Sequence, residues 1–431
     1  MDTLIKMVKN NIRQYTMLIA LVLAMVLFGF LTGGTLLVPQ NITNLILQNA
    51  YVFILGIGMM ILLINGGNID LSAGSVVAFI GAVVGILLID MHWPMWLGIL
   101  VALLIGAAIG AWQGYWIAYI RVPGFIVTLA GMLLFRGLTL TITKGLTIAP
   151  FSASFTKIAM GFVPDYIGNA PVMKPEEFTS LAYRISHPET YNYVAIVLGV
   201  LIVAAYVFLQ IKSRKNKQKF MLETPPKPLF IAQLVLMSVA MMAFFLWLGL
   251  YDGLPIIFII MGLLVLGYQF YLTKTVPGRH IYAMGGNEKA AKLSGVNTNK
   301  VLFLSYVNMG VLAAVAAIAT ASRLVAASPI AGDNYEFDAI TACFVGGASM
   351  YGGAGTAVGA IIGALFMGVL NNGMSILGYN TDVQSILKGF VLLLAVAVDI
   401  FSKSRSQSAG LPLGMKRLKL PKIGNSAGKE S

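Results

Sequence analysis

Charged groups inside apolar helices are costly, so each is a functional hypothesis until it finds a partner. Here they are few: Arg136 lies about midway along one apolar run, Lys388 near the start of another, Asp70 beside a third, and Asp338 near the outer end of a short one. A relay that moves protons or ions across a membrane needs several carboxylates in series, and Asp70 and Asp338 alone do not supply it. Neutral groups are the other resource. Asn371, Asn372 and Ser375, late in one run, are suited to pass a polyol from amide to hydroxyl, or to tie neighbouring helices together. Arg136, Asn371, Asn372 and Ser375 are therefore the candidates for a polar path.

Catalytic constellations are missing. There is no Gly-x-x-x-x-Gly-Lys-Ser/Thr phosphate loop, no His-Glu-x-x-His and no Gly-x-Ser-x-Gly elbow. His92, His187 and His280 are scattered through expected loops, and Cys343 is the single cysteine, which excludes an intrachain disulfide. No catalytic residue, metal site or cofactor is expected, and the chain should not hydrolyse ATP by itself.

The elements that must position these residues are membrane spans. Of 431 residues 58% are hydrophobic and only 10% charged, and the mean hydropathy is +0.85. A spanning helix needs about 20 apolar residues to cross roughly 30 Å of hydrocarbon. Runs of about that length are expected at 16–38, 45–64, 71–90, 95–120, 123–143, 191–211, 229–250, 255–273, 301–321, 354–377 and 383–401. A further run at 336–349 is short and could be a half helix buried in protein. The fold class is thus an all-α polytopic membrane protein with about 10–12 transmembrane helices and two related halves, making up one domain over 1–431.

The net charge of +13 is unevenly spread. Of 29 lysines and arginines, 22 fall between Lys6 and Arg13, at Arg121, in 212–228, in 274–300 and in 403–431, all on segments able to share one side. The positive-inside rule makes that side the cytoplasm and places both termini there. A nucleic-acid partner explains this distribution poorly. The threading leaves 144–190 as a folded external segment, 212–228 as a basic cytoplasmic connector and 403–431 as a basic tail.

Glycine marks two further patterns. Gly66-Gly67 precedes Ser72, Gly74 and Ser75, and Gly346-Gly347 precedes Ser349, Gly352, Gly353 and Gly355; each is followed by an apolar helix, and both helices cross in the same direction, as a parallel repeat requires. Gly106, Gly110 and Gly114, and again Gly355, Gly359 and Gly363, recur every fourth residue. That spacing lets helix backbones approach closely, within the subunit in the first instance.

The segment 274–300 is the most informative. Gly285 and Gly286 are expected to make a turn, Asn287 to cap a helix over 288–294, Glu288 to sit at its positive end and Gly295 to close it. So short a helix is unstable alone and must be held by packing, on its own subunit or on a partner. Gly278-Arg279, Ala283-Met284-Gly285-Gly286-Asn287-Glu288-Lys289-Ala290-Ala291 and Ser294-Gly295-Val296 resemble the cytoplasmic coupling loop of the ribose, galactose and xylose permease family of ABC importers. Ile69-Asp70-Leu71-Ser72-Ala73-Gly74-Ser75 is similar to that family's Ile-Asp-Leu-Ser-Val-Gly-Ser stretch, and Tyr335-Glu336-Phe337-Asp338-Ala339-Ile340-Thr341-Ala342 to a second signature. The turn carrying Gly346 and Gly347 resembles a third. Asn68 stands where many members have glycine, and Ala73 where valine is common. The section 212–272 is longer than in compact members and, with Asn371-Asn372-Gly373-Met374-Ser375, looks like the xylose and multiple-monosaccharide branch.

The resemblance implies a bacterial inner-membrane permease for a monosaccharide. Its implied partners are a cytoplasmic ATPase subunit, a periplasmic or lipid-anchored sugar-binding protein and a second permease subunit, as a homodimer. Gly278, Gly285, Gly286, Asn287, Glu288, Ala290, Ala291 and Gly295 would couple to the ATPase. Three alternatives make different demands. A branched-chain amino-acid permease would use Arg136 and Asp338 for a zwitterion, a secondary transporter would need an ion gradient, and a scaffold would carry nothing.

Overall fold

The computed structural model describes residues 12–167, 191–220, 224 and 226–409. Lys6 and Lys9, residues 168–190 of the external segment, residues 221–223 and 225 of the connector and the tail after residue 409 lie outside the described residues. The chain folds into α1 (Ile12–Leu31), α2 (Pro39–Ile64), α3 (Ala73–Gly85, continued by a π turn over Ile86–Asp90), α4 (Met95–Ala118), α5 (Gly124–Thr143), α6 (Ala153–Met160), α7 (Tyr193–Lys219) and α8 (Lys227–Gly249). There follow α9 (Ile256–Lys274), α10 (Val276–Gly286), α11 (Glu288–Leu293), α12 (Thr298–Leu324), α13 (Tyr335–Val345), α14 (Ala357–Ile376) and α15 (Thr381–Ala409). Among the described residues no strand occurs, and ten helices are long and apolar enough to cross a membrane. The protein is an all-α, multi-pass membrane protein.

The expected runs map onto these helices with instructive shifts. The first ends at Leu31 because Gly33 and Gly34 adopt positive φ, and Pro39 starts α2 instead. The basic connector begins as helix, since α7 continues to Lys219. The short tenth run is the 11-residue α13, about 16 Å long at 1.5 Å per residue, too short to span alone.

Helix α2 is the axis of the core, with Ile54 to Ile64 almost wholly enclosed. Contacts fix the directions of its neighbours. Asn65 bonds Ser305 and Gly58 meets Met309, so α12 runs antiparallel to α2. Helix α4 runs antiparallel to α12: Gly106 lies on the Gly310 backbone, Gly110 on Tyr306 and Val307, and Gly114 on Phe303. The first glycine triplet therefore seats α4 on α12 within the subunit. In the second, Gly359 and Gly363 lie on the backbones of Gly346 and Ala342 next to α13, whereas Gly355 precedes α14 with φ +149°.

Helix α3 runs beside α5, with Ser72 near Gly131 and Phe79 against Phe135, and thus in the direction of α12. Helix α13 follows α2, with Tyr335 stacked on Tyr51 and Cys343 Sγ on Gly56 O. So α3 and α13 point in opposite directions and bring their N-terminal turns together, where Gly74 meets Gly332 and Glu336. The helices after the two glycine turns, α3 and α14, both run opposite to α2, in the common direction expected for them. The turns also meet, Gly67 lying on Met350 O and Gly352 on Gly66.

Two parts lie at the edge. The described portion of segment 144–190 packs onto α12 and the loop after it: Ile148 pairs with Ala327, and Ser322 Oγ bonds Phe155 O at 2.8 Å and accepts from Ala159 N. The α7–α8 hairpin packs on itself through Gly199 against Phe245. It joins the bundle at its open end, opposite its turn, where Asn192 Nδ2 donates to Asp252 O and Trp247 Nε1 donates to Leu37 O at 2.8 Å.

Candidate functional site

At the end of the bundle carrying Arg121, Arg279, Lys289, Lys292 and Lys300, α10 and α11 form the element that the sequence singles out. Thr275 caps α10 through Gly278 N, and Gly278 lies directly on the backbone of Tyr271 and Leu272, which fixes the elbow with α9. Asn287 Oδ1 accepts from Ala290 N at 3.0 Å and starts α11. Gly295, at φ +85°, ends it, with Val296 N bonded to Ala291 O. The helix ends at Leu293, one residue short of expectation. Ala291 is its one buried residue, while Ala290 and Lys289 are exposed and Leu293 is 90% exposed. Glu288 is paired with Arg121 at 3.1 Å, and Arg121 also donates to Asn299.

Gly285 and Gly286 do not make a turn. They are the last residues of α10, and neither has positive φ. Gly285 is required by proximity: a Cβ there would collide with Ile64 O and Gly353 N. A Cβ on Gly286 would meet nothing. Gly353 N donates to Ile64 O at 2.9 Å and Tyr282 Oη donates to Gly355 O at 2.7 Å. Burial pushes the Tyr282 phenol above its ordinary pKa, which keeps that proton in place. The end of α10, the end of α2 and the turn leading to α14 therefore interlock backbone to backbone.

Above this interlock, Asp70 is buried and accepts from Ser72 N at 2.8 Å and Ser72 Oγ at 2.6 Å. Gln113 of α4 donates to Ser72 Oγ, and Tyr306 Oη reaches Ile69 O at 3.3 Å. Asp70 and Ser72 thus shape the re-entry into α3, while Gly74 admits the Gly332 backbone. Asn68 is not strained where glycine is common: its side chain donates to Asn65 O at 2.6 Å.

A second cluster runs from the middle of α2, at Tyr51, toward the far end, at Asn41. Asp338 Oδ2 accepts from Tyr51 Oη at 2.6 Å, Lys388 Nζ at 3.0 Å and Asn371 Nδ2 at 3.3 Å. Asn371 also donates to Asn49 Oδ1 at 3.1 Å, and Asn372 exchanges bonds with Asn41 at 2.7 and 3.2 Å. In this arrangement Asn371 and Asn372 bind α14 to α2, and Ser375 bonds its own helix at Asn371 O. Arg136 is elsewhere, its Nη1 donating to Pro329 O and Ala331 O at 3.1 Å each. Gly346 and Gly347 sit at the C-terminal end of α13, Gly346 against Gly359. The sequence offered no signal for Tyr51, Asn41 and Asn49, ordinary polar residues in a span; only their shared face with Asn371 and Asn372 picks them out.

Buried re-entrant segments, a bundle of spans and an exposed helical elbow at the basic end define a membrane permease. A family model described as "Branched-chain amino acid transport system / permease component" matches residues 41–174 and 178–396. The chain is 37% identical over 396 residues to the xylose transport system permease protein XylH of Escherichia coli K12, covering 92% of this chain and 94% of that protein. It is 36% identical to XylH of Haemophilus influenzae over 400 residues, 93% and 99% of the two chains. It is 33% identical over 360 residues to the ribose import permease protein RbsC of E. coli K12, 84% and 85% of the two. No solved structure matches. The chain belongs to this family of transport-system permease components.

Proposed function

We propose that the chain is the transmembrane subunit of an ATP-driven importer that moves a monosaccharide, xylose, galactose or a similar sugar, across the bacterial cytoplasmic membrane. The named functions of the XylH and RbsC relatives support a sugar. The observation that carries the coupling is the α10–α11 elbow. It is locked to α2 and to the turn before α14 through Gly285 and Gly353, yet it leaves Lys289, Ala290 and Leu293 facing outward. A cytoplasmic ATPase subunit grips that face, and its closure displaces α2 and α14 together. ATP is hydrolysed on that partner. A periplasmic or lipid-anchored binding protein delivers the sugar at the other end, two copies of the chain pair as a homodimer, and both termini lie in the cytoplasm.

Purification from the native host should bring an ATPase subunit with the chain, and Leu293→Glu should lose that subunit while membrane yield is kept. Recovery of the ATPase at normal levels with Leu293→Glu would remove the elbow from the coupling role. The family description favours one other reading, a branched-chain amino acid as cargo. Uptake into vesicles holding the whole system separates them: labelled xylose or galactose should enter, and labelled leucine should not.

A further inference from the structure

Residues 325–334 pass through the bundle without forming a helix. Their depth is set by three contacts. Tyr335 stacks on Tyr51, at the midpoint of α2, with ring centroids 3.5 Å apart. Gly332 lies on Gly74 in the first turn of α3. Arg136, in the middle of α5, donates to Pro329 O and Ala331 O, and its Nη2 lies 3.5 Å from Asp333 Oδ1. At this depth Ile330 is 78% exposed and the Asp333 side chain 71% exposed.

Irregular backbone at the centre of a membrane is tolerated only inside protein or along a water-filled cavity, and a carboxylate turned toward hydrocarbon is strongly disfavoured. The exposed side of this segment therefore cannot face lipid. Glu336 Oε2, buried beside Gly74 and without a hydrogen-bond partner among the described residues, adds an unsatisfied acceptor just behind it. We propose that the exposed face of residues 330–337 is the wall of the aqueous translocation route, and that the Asp333 carboxylate accepts hydrogen bonds from hydroxyls of a neutral polyol as it passes. Arg136 is a positioning residue: from behind, it holds the two carbonyls that set the loop. The route thus runs along α5 and the approach to α13, away from the Asn371–Asn372 cluster. The polyol as ligand rests on the sugar-permease reading.

The sole cysteine, Cys343, is buried and bonded to Gly56 O, so single cysteines can be added against a silent background. In the complete transporter in lipid nanodiscs, Ile330→Cys and Asp333→Cys should react with a charged methanethiosulfonate at least about tenfold faster than Leu201→Cys on α7 or Leu266→Cys on α9, because the reagent and the reactive thiolate both need water. Modification of Ile330→Cys should stop sugar uptake. Asp333→Asn should raise the sugar concentration for half-maximal uptake severalfold. Labelling no faster than at the α7 and α9 controls, in variants that still take up sugar, would overturn the route and leave the permease reading intact. Rapid labelling in a transporter that carries no sugar would instead overturn the polyol as ligand.

Discussion

The two ends of this bundle are held together by different means. At the basic end, Gly285, Gly353, Gly352 and Gly67 bring three segments into direct backbone contact, with no side chain between them to yield. Toward the far end, α2, α13, α14 and α15 meet through side chains: Tyr51, Asp338, Asn371 and Lys388. A backbone contact transmits displacement with little loss, because packed interiors resist compression. A side-chain cluster can exchange partners, and Asp338 Oδ1 and Asn371 Oδ1 are both buried without one among the described residues. The difference teaches which end can pass on a displacement with little loss and which end can rearrange.

The contrast breaks most sharply at Gly285. Gly285→Ala would drive a methyl group into Ile64 O and Gly353 N, and overpacking of about 3 kcal/mol or more should reduce uptake on the order of a hundredfold. Gly286→Ala next to it meets open space and should stay within about twofold of wild type by the same argument. Transport assays on both variants check the pair; equal losses would show that the close approach at Gly285 is not what requires glycine.

Next in size is the far cluster. Asp338→Ala leaves Lys388, whose side chain is 19% exposed, without its counter-charge, and should cost about 3 kcal/mol or more of stability. The double variant Asp338→Leu with Lys388→Met should recover at least half of that loss, since a buried pair is often replaceable by apolar groups. Thermal unfolding in nanodiscs measures both. Full recovery of stability without recovery of uptake would mark the cluster as the part that rearranges.

Gly110→Leu should come third. It forces α4 off the Tyr306 and Val307 backbone, lowering yield by separating two core helices within one subunit, with crosslinked dimer per folded monomer unchanged. The smallest effect belongs to Arg121→Gln. Its bond to Glu288 is between side chains that are each 46% exposed, and such pairs contribute well under about 1 kcal/mol. Unfolding should be unaffected, and a measurable loss of coupled ATPase activity would show that the pair orients α11 for its partner.

Much of this was legible in the sequence because apolar length and charge act locally. The spans follow from hydropathy, and the Asn287 cap with Gly295 bounds α11 to within one residue. What failed was the inference of conformation from glycine: positive φ and close approach both select glycine, and residues 285–286 gave no sign of which applied. The polar cluster was partly visible, since Asp338, Lys388, Asn371 and Asn372 stood out as costly or hydrogen-bonding groups. Their partners were not, because pairing Asp338 with Tyr51 depends on α13 stopping after 11 residues and running beside α2. Asp333 is hidden in the sequence for the same reason. Its depth comes from the fold around residues 325–334, while its neighbours in sequence read as an ordinary loop.

The α7–α8 hairpin packs on itself and touches the bundle chiefly at its open end, away from its turn, through Asn192 and Trp247. Such an attachment makes it modular. Sequence can be added or removed along these two helices without asking α2, α12 or α14 to repack, so a chain of this architecture can change its length, and the area it presents to lipid, while the moving parts inherit the same geometry.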